Sequence, residues 1–218
     1  LVEELADFVL HVAQANSSAV GPRTDGRPAV VIGFDGPAEV GTSALADDVA
    51  GALISTGLLV VRASTQWWWR PSALRLELGH RNVDMLLAGW VDADAIRREL
   101  IDPLASGRPY ITRLRDSRTG RPVRENRKPV RPGAVLLLDG PFLLAAVLPL
   151  DAVVLVNTSA AALSRALPAH SAWWSEAFEV YQREYQPVQH ADVVLSYDHP
   201  ATPAAAGLDP GRVKNIPT

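Results

Sequence analysis

Short, mostly apolar runs recur along the chain, separated by longer stretches in which apolar residues return every three or four positions. The runs are residues 29–34, 58–63, 135–138, 153–156 and 192–195. They do not alternate with polar residues, as suits strands buried on both faces, so they predict five strands of a parallel sheet. The intervening rhythm predicts helices. One spans residues 1–15, with Leu1, Leu5, Phe8, Val9 and Val12 on one face, and others cover 44–53, 92–104, 159–167 and 171–185. Strand-helix alternation of this kind packs helices on both faces of the sheet. Residues 17–28 form a polar link into the first strand. The Pro/Ala/Gly-rich tail from His199 reads as a loose surface strap or a disordered end. No internal repeat is present.

Composition narrows this picture. A chain of 218 residues suits one α/β domain with a substantial core, drawn here as residues 1–198 with the tail at 199–218. The net charge of −3 gives no reason to expect nucleic acid or an anionic membrane as partner. Without cysteine there are no disulfides, thiolate metal sites or thiol nucleophile, which fits a reducing cytoplasm. No apolar run approaches the roughly 18 residues of a membrane span, and no charged-then-apolar leader is expected. Charge is unevenly spread within residues 107–132. There Arg108, Arg113, Arg115, Arg118, Arg121, Arg124, Arg127, Lys128 and Arg131 face only Asp116 and Glu125. Ser117-Arg-Thr-Gly120 can turn a hairpin, so this segment reads as an inserted β-hairpin with a basic face. Three roles stay open for it: a solvated edge that resists aggregation, arginines that approach a phosphate or nucleoside, or a nucleic-acid surface, which the acidic balance of the rest of the chain disfavours.

The first strand feeds Gly36-Pro-Ala-Glu-Val-Gly41-Thr42-Ser43, and a helix follows. Strand, loop and helix in that order form the setting in which G-x-x-x-x-G-K-[ST] cradles phosphates with backbone N–H groups. Gly36, Gly41 and Ser43 keep the frame, but Thr42 stands at the lysine position and Glu39 puts a carboxylate into an anion-holding loop.

Five pieces in order extend the match: GFDGP…GTS, RASTQWWWRP, IRRELIDPLASG-RPY, DSRTGRPV and VLLLDGPFLL. Together they resemble the uridine kinase-like P-loop kinases of actinobacteria over roughly residues 28–198. The resemblance implies a three-layer α/β/α P-loop NTPase fold with a five-stranded parallel sheet and an inserted β-hairpin. It implies phosphate or nucleotide contacts at Gly36, Gly41, Thr42, Ser43, Arg70 and Arg165, and nucleoside contacts at Trp67, Tyr110, Asp116 and Arg118. Ser43 and Asp139 fall where Mg²⁺ would be held, and Asp92 falls near an acidic position ahead of its helix. ATP and Mg²⁺ are the cofactors implied if the protein is active, and none otherwise.

The departures concern chemistry more than fold. Thr42 cannot set a positive charge against the phosphates, where a hydrogen bond to a charged group is worth about 1.5–3 kcal/mol. Gln66 and Trp67 occupy the places of the paired aspartates, and a positioned base there contributes about 10²–10⁴ in rate. Gln66 cannot take that proton. The lid, Ser164-Arg165-Ala-Leu-Pro-Ala-His170, keeps one arginine ahead of Pro168. Arg62, Arg70 and the hairpin arginines are the candidates to restore charge. Trp67, Trp68 and Trp69 cannot all face the core from an extended segment. They read as packing beneath the lid, as a stacking platform for a planar ligand, or as an interface anchor, including that of a homodimer. The leading expectation is a catalytically impaired kinase-like protein that binds a nucleoside- or nucleotide-type ligand or a protein partner in a regulatory role. The alternatives are an active ATP-dependent nucleoside or small-metabolite kinase with relocated catalytic groups, and a structural interaction protein.

Overall fold

The structure is a computed structural model in which residues 1–18, 30–131, 133–199 and 202–208 are described. Most of the polar link at 17–28, the start of the run at 29 and the tail beyond 208 lie outside those residues. Helix α1 (Val2–Ser18) precedes strand β1 (Val30–Asp35), and α2 (Thr42–Ser55) leads to β2 (Val60–Ser64). A short α3 (Ser72–Arg75), then α4 (Ala93–Ile96) and α5 (Asp102–Ala105), precede β3 (Val135–Gly140) and β4 (Ala152–Asn157). Helices α6 (Ala160–Ala166), α7 (Trp174–Glu184) and α8 (Pro187–His190) then lead to β5 (Val193–Ser196) and β6 (Ala204–Ala206).

The sheet order is β2-β3-β1-β4-β5-β6. The first five strands are parallel, and all five arise from the apolar runs. The sixth corrects the five-strand expectation: Ala204–Ala206 pairs antiparallel with β5 through Val194↔Ala206 and Ser196↔Ala204. That part of the tail is therefore a strap hydrogen-bonded to the sheet edge. Period-two alternation sorts each strand between two cores. Val30, Ile32, Phe34, Val135 and Leu137 meet Leu5, Phe8 and Val9 of α1 and Leu45, Val49 and Leu53 of α2. Val31, Leu136 and Leu138 face Trp68, Ile96, Leu100 and Leu104 on the other side. A third cluster joins Trp90, Phe142, Trp174, Phe178 and Tyr181 beyond the strand ends.

The helix expected over 92–104 is present, capped by Asp92, whose Oδ1 accepts from the Ala95 N–H at 3.0 Å. Its middle, Arg97–Ile101, widens into a π-turn, with the Asp102 N–H bonded to Arg97 O. Pro103 explains the widening, because it has no N–H for the carbonyl of Glu99 and its ring crowds that oxygen. The freed Glu99 carbonyl accepts the Ile111 N–H at 3.1 Å, which ties the basic insertion to this helix.

The insertion is looser than a regular hairpin. Its legs meet at two isolated bridges, Tyr110↔Lys128 and Arg115↔Pro122, around a turn capped by Asp116. Glu125 clamps it from inside. Its carboxylate accepts from Thr112 N (2.6 Å), Thr112 Oγ1 (3.0 Å) and Arg113 N (2.8 Å), and Lys128 Nζ lies 3.1 Å away. The helix expected over 171–185 starts later, at Trp174, after a short 3-10 turn at Ala169–Ser171. Among the described residues no helix is long and apolar enough to cross a membrane.

Candidate functional site

β1 lies between β3 and β4, so the connections leaving its carboxyl end diverge there, where open α/β sheets place their ligand crevice. Gly36 opens the loop, and its N–H donates to Gly140 O at 3.2 Å. A Cβ at Gly36 would lie 2.8 Å from Thr42 Oγ1 and 2.9 Å from Val156, so packing alone demands glycine there. Gly41 adopts φ 102°, left-handed backbone that favours glycine, and starts α2.

Between these glycines the loop turns in on itself. Ala38–Val40 is a 3-10 turn, with Val40 N donating to Pro37 O (3.3 Å) and Gly41 N to Ala38 O (3.0 Å). Two amides that a phosphate cradle would offer an anion are thereby spent on loop carbonyls. Thr42, at the lysine position, is fully buried and donates its hydroxyl to Pro37 O at 2.8 Å. The residue that should carry charge toward phosphate staples the loop shut instead.

At the next position Ser43 Oγ donates to Asp139 Oδ2 at 2.5 Å, and Ser64 Oγ donates to the same oxygen at 3.1 Å. Asp139 ends β3, is only 1 % exposed, and receives Arg62 Nη1 on Oδ1 at 2.5 Å. The same guanidinium places Nε 2.8 Å from Asp47 Oδ1 and donates from Nη2 to Ser43 O at 3.1 Å. Ser43 and Asp139 are of the right type to hold Mg²⁺, but as arranged they do not fit it. Both carboxylate oxygens and the hydroxyl proton are engaged, and Arg62 already supplies the positive charge.

The tryptophan triplet is not extended. Thr65–Trp68 forms a 3-10 turn that sends the three rings to three places. Trp68 is fully buried in the second core. Trp69 joins Trp90 and Trp174, with ring centroids 5.2 and 6.0 Å away. The Arg75 guanidinium rests on this cluster, 5.0 Å from the Trp69 ring and 4.6 Å from that of Trp90, and burial lowers its pKa. Trp67 turns the other way, beneath the Arg113 guanidinium at 5.4 Å.

Space follows the same division. Over the phosphate loop a pocket of about 80 Å³ is bounded by Glu39, Gln66, Trp69, Trp174, Asp139 and Gly140, and Glu39, Trp69 and Trp174 also border a cavity of about 380 Å³ beside Arg75, His80 and His170. Beside it, under the insertion, a polar cleft of about 320 Å³ is lined by Ser43, Arg62, Gln66, Trp67, Thr112 and Lys128, among others. Gln66 is exposed there and cannot act as a base. Glu125, a further carboxylate of this cleft beside Asp47 and Asp139, is engaged by the insertion's own donors. Burial pushes its pKa up, but the Thr112 and Arg113 amides and Lys128 outweigh that and hold it below the ordinary value.

The structure gathers Ser43, Gln66, Trp67 and Asp139 around one cleft and places the other expected residues elsewhere. Tyr110 is buried in the second core. Asp116 and Arg118 sit at the turn, where Asp116 Oδ1 accepts the N–H groups of Arg118 (2.9 Å) and Thr119 (2.8 Å). Arg70 is half-buried, with its N–H on Trp90 O and its carbonyl accepting Arg75 Nε. Arg165 is exposed on α6. Asp47, Arg75 and Glu125 escaped sequence reasoning as site residues. Arg62 was one candidate cation among several, and only its convergence with Asp47 and Asp139 singles it out.

The fold is that of the P-loop kinases. No family model and no curated protein matches the chain. Among solved structures it is similar to a possible uridine kinase from Bacillus stearothermophilus, at 20 % identity and a TM-score of 0.62, covering 88 % of this chain and 98 % of that one. It is also similar to the YGR205w protein, at 10 % identity and a TM-score of 0.54, covering 85 % and 88 %. A putative fructose transport system kinase from Silicibacter sp. TM1040 matches at 17 % identity and a TM-score of 0.50, covering 77 % and 87 %. At these identities the likeness is one of fold.

Proposed function

We propose that this chain is a uridine kinase-like P-loop protein that has given up phosphoryl transfer and holds a nucleoside-type ligand in the cleft beneath its basic insertion, in a regulatory role. The observation that carries this reading is the lock formed by Arg62, Asp139 and Ser43, in which a protein cation fills the charge position of the phosphate site. The buried Thr42 staple supports it. The ligand class rests on the cleft itself, which offers one indole beside hydroxyl, amide and cationic donors. The test is isothermal titration of the full chain with ATP, with and without Mg²⁺, and separately with uridine and cytidine. The expected result is saturable heat with a nucleoside, none with ATP up to millimolar concentration, and no ADP release when both are present. Micromolar, Mg²⁺-dependent ATP binding would overturn the proposal.

One observation favours a second reading, an active ATP-dependent nucleoside or small-metabolite kinase with relocated charge. Arg62 lies against both Ser43 and Asp139, where a relocated catalytic cation would have to stand. A phosphorylated nucleoside in the same assay would establish it.

A further inference from the structure

The last residue of β1 carries a carboxylate that the phosphate loop does not use. Asp35 is 1 % exposed, and the Tyr181 hydroxyl of α7 donates to its Oδ2. The Leu144 N–H donates to that hydroxyl at 3.1 Å, which satisfies the phenol oxygen and aims its proton at Asp35. Oδ1 is buried and makes no hydrogen bond of normal geometry, although the Phe142, Leu143 and Leu144 amides lie near the carboxylate. An unpaired buried carboxylate oxygen is costly unless something is meant to meet it.

Asp35 borders a cavity of about 420 Å³ between the start of the phosphate loop, the end of β4 and helices α6 and α7. That volume lies within the range of small-molecule sites. Its walls are apolar, with Leu155, Val156, Leu163 and Phe178, and no residue is shared with the polar cleft under the insertion. At the mouth Glu179 adds a second carboxylate, while Arg183 is paired with Glu184 at 3.0 Å. Two carboxylates, one of them buried, in a largely apolar chamber that Thr158, Ser175 and Gln182 also line, select a cation with a hydrocarbon body and repel anions.

We propose that this cavity binds a small organic ammonium ion, a primary or secondary amine that donates an N–H to Asp35 Oδ1 and packs its apolar part against Phe178 and Leu163. Burial pushes the Asp35 pKa up to about 6, so the site lacks a countercharge that a bound ammonium would supply. The site lies on the far side of the phosphate loop from the hairpin cleft and stands whatever that cleft holds.

The experiment is titration of the full chain near neutral pH with benzylamine, phenethylamine and isoamylamine, and with benzyl alcohol as the neutral isostere, followed by calorimetry and amide NMR. At least one amine is expected to saturate, with shifts centred on Val156, Leu163 and Phe178. It should bind about tenfold to a hundredfold more tightly than its alcohol counterpart, the worth of a charge-assisted hydrogen bond. Asp35→Asn should erase that preference. Ala160→Phe, which narrows the mouth and leaves Asp35 untouched, should weaken both ligands and keeps the test alive should the first variant fold poorly. Equal affinity for amine and alcohol, shifts centred elsewhere, or no saturation by any amine at millimolar concentration would overturn the proposal.

Discussion

Replacing Asp35 with asparagine should make the protein more stable at neutral pH, although the change removes a buried hydrogen-bonding acid. Burial raises the Asp35 pKa from the ordinary 3.8 to about 6, against the downward pull of Tyr181 and the nearby Phe142–Leu144 amides. The folded state therefore holds this proton more tightly than the unfolded chain does. The resulting stabilisation is fully present below pH 3.8 and is lost as pH rises through about 6. At 1.36 kcal/mol per tenfold change in proton affinity, the loss reaches about 3 kcal/mol above neutrality. Asparagine is neutral throughout and can still accept from Tyr181, so it mimics the protonated acid. Urea denaturation of wild type and Asp35→Asn should give near-equal stabilities around pH 4, diverging to about 2–3 kcal/mol in favour of the variant by about pH 7.5. For a chain of this size that corresponds to a Tm gain of roughly 4–12 °C. Other groups titrate over the same range, but they cancel in the difference between the two proteins. A variant less stable than wild type at about pH 7.5, or a difference that does not change with pH, would refute the reasoning. It would mean that Tyr181 and the amides already stabilise the ionised carboxylate.

Arg62→Met should leave Asp139 buried without its cation and cost about 3–5 kcal/mol near neutral pH, read by chemical denaturation. Part of that loss should be recovered by millimolar Mg²⁺ or Mn²⁺, which has no effect on wild type. Glu125→Gln should loosen the insertion by removing the shared anchor of Thr112, Arg113 and Lys128. The result expected in limited trypsin digestion is faster cleavage within residues 113–127, with the cores still protected. Thr42→Lys, which restores the consensus loop residue, should bring no ATP binding in calorimetry. It should destabilise by about 1–3 kcal/mol, because it breaks the Pro37 staple and forces a long chain into a fully buried site.

The central strands could be read from sequence because β1, β3 and β4 are long apolar runs buried on both faces. The phosphate-loop frame could be read because Gly36 and Gly41 sit at fixed spacing between a strand and a helix. What escaped depends on partners distant in sequence. Asp35 ahead of Gly36 looks like a turn residue, and the Tyr181 that holds it is 146 positions away. Arg62 within an apolar run looks like an edge charge until Asp47 and Asp139 close around it. Ala204–Ala206 carries no strand signal of its own, since alanine is a weak strand former, and its pairing is set by the free edge of β5. The tryptophan triplet misled for a different reason. The alternation argument holds for an extended backbone, and the 3-10 turn at Thr65–Trp68 replaces two directions with three.

The several departures in the phosphate site make sense as one change in charge balance. In the motif the sequence resembles, positive charge from lysine and a divalent cation waits for phosphate to neutralise it. Here the positive charge is Arg62, and its partners Asp139 and Asp47 are two carboxylates of the same chain, so the cation is already more than matched before any ligand arrives. A triphosphate entering it must break a pair one member of which is buried, at a cost of about 3–5 kcal/mol. That is about two to four orders of magnitude in affinity, enough to carry a micromolar nucleotide site to millimolar or beyond. Glu39 adds repulsion at the loop, where Trp69 and Trp174 wall the small pocket. With Arg62 in place, a lysine at position 42 would have no anion to meet and a second cation to avoid. A small residue at position 42 that staples the loop suits that arrangement.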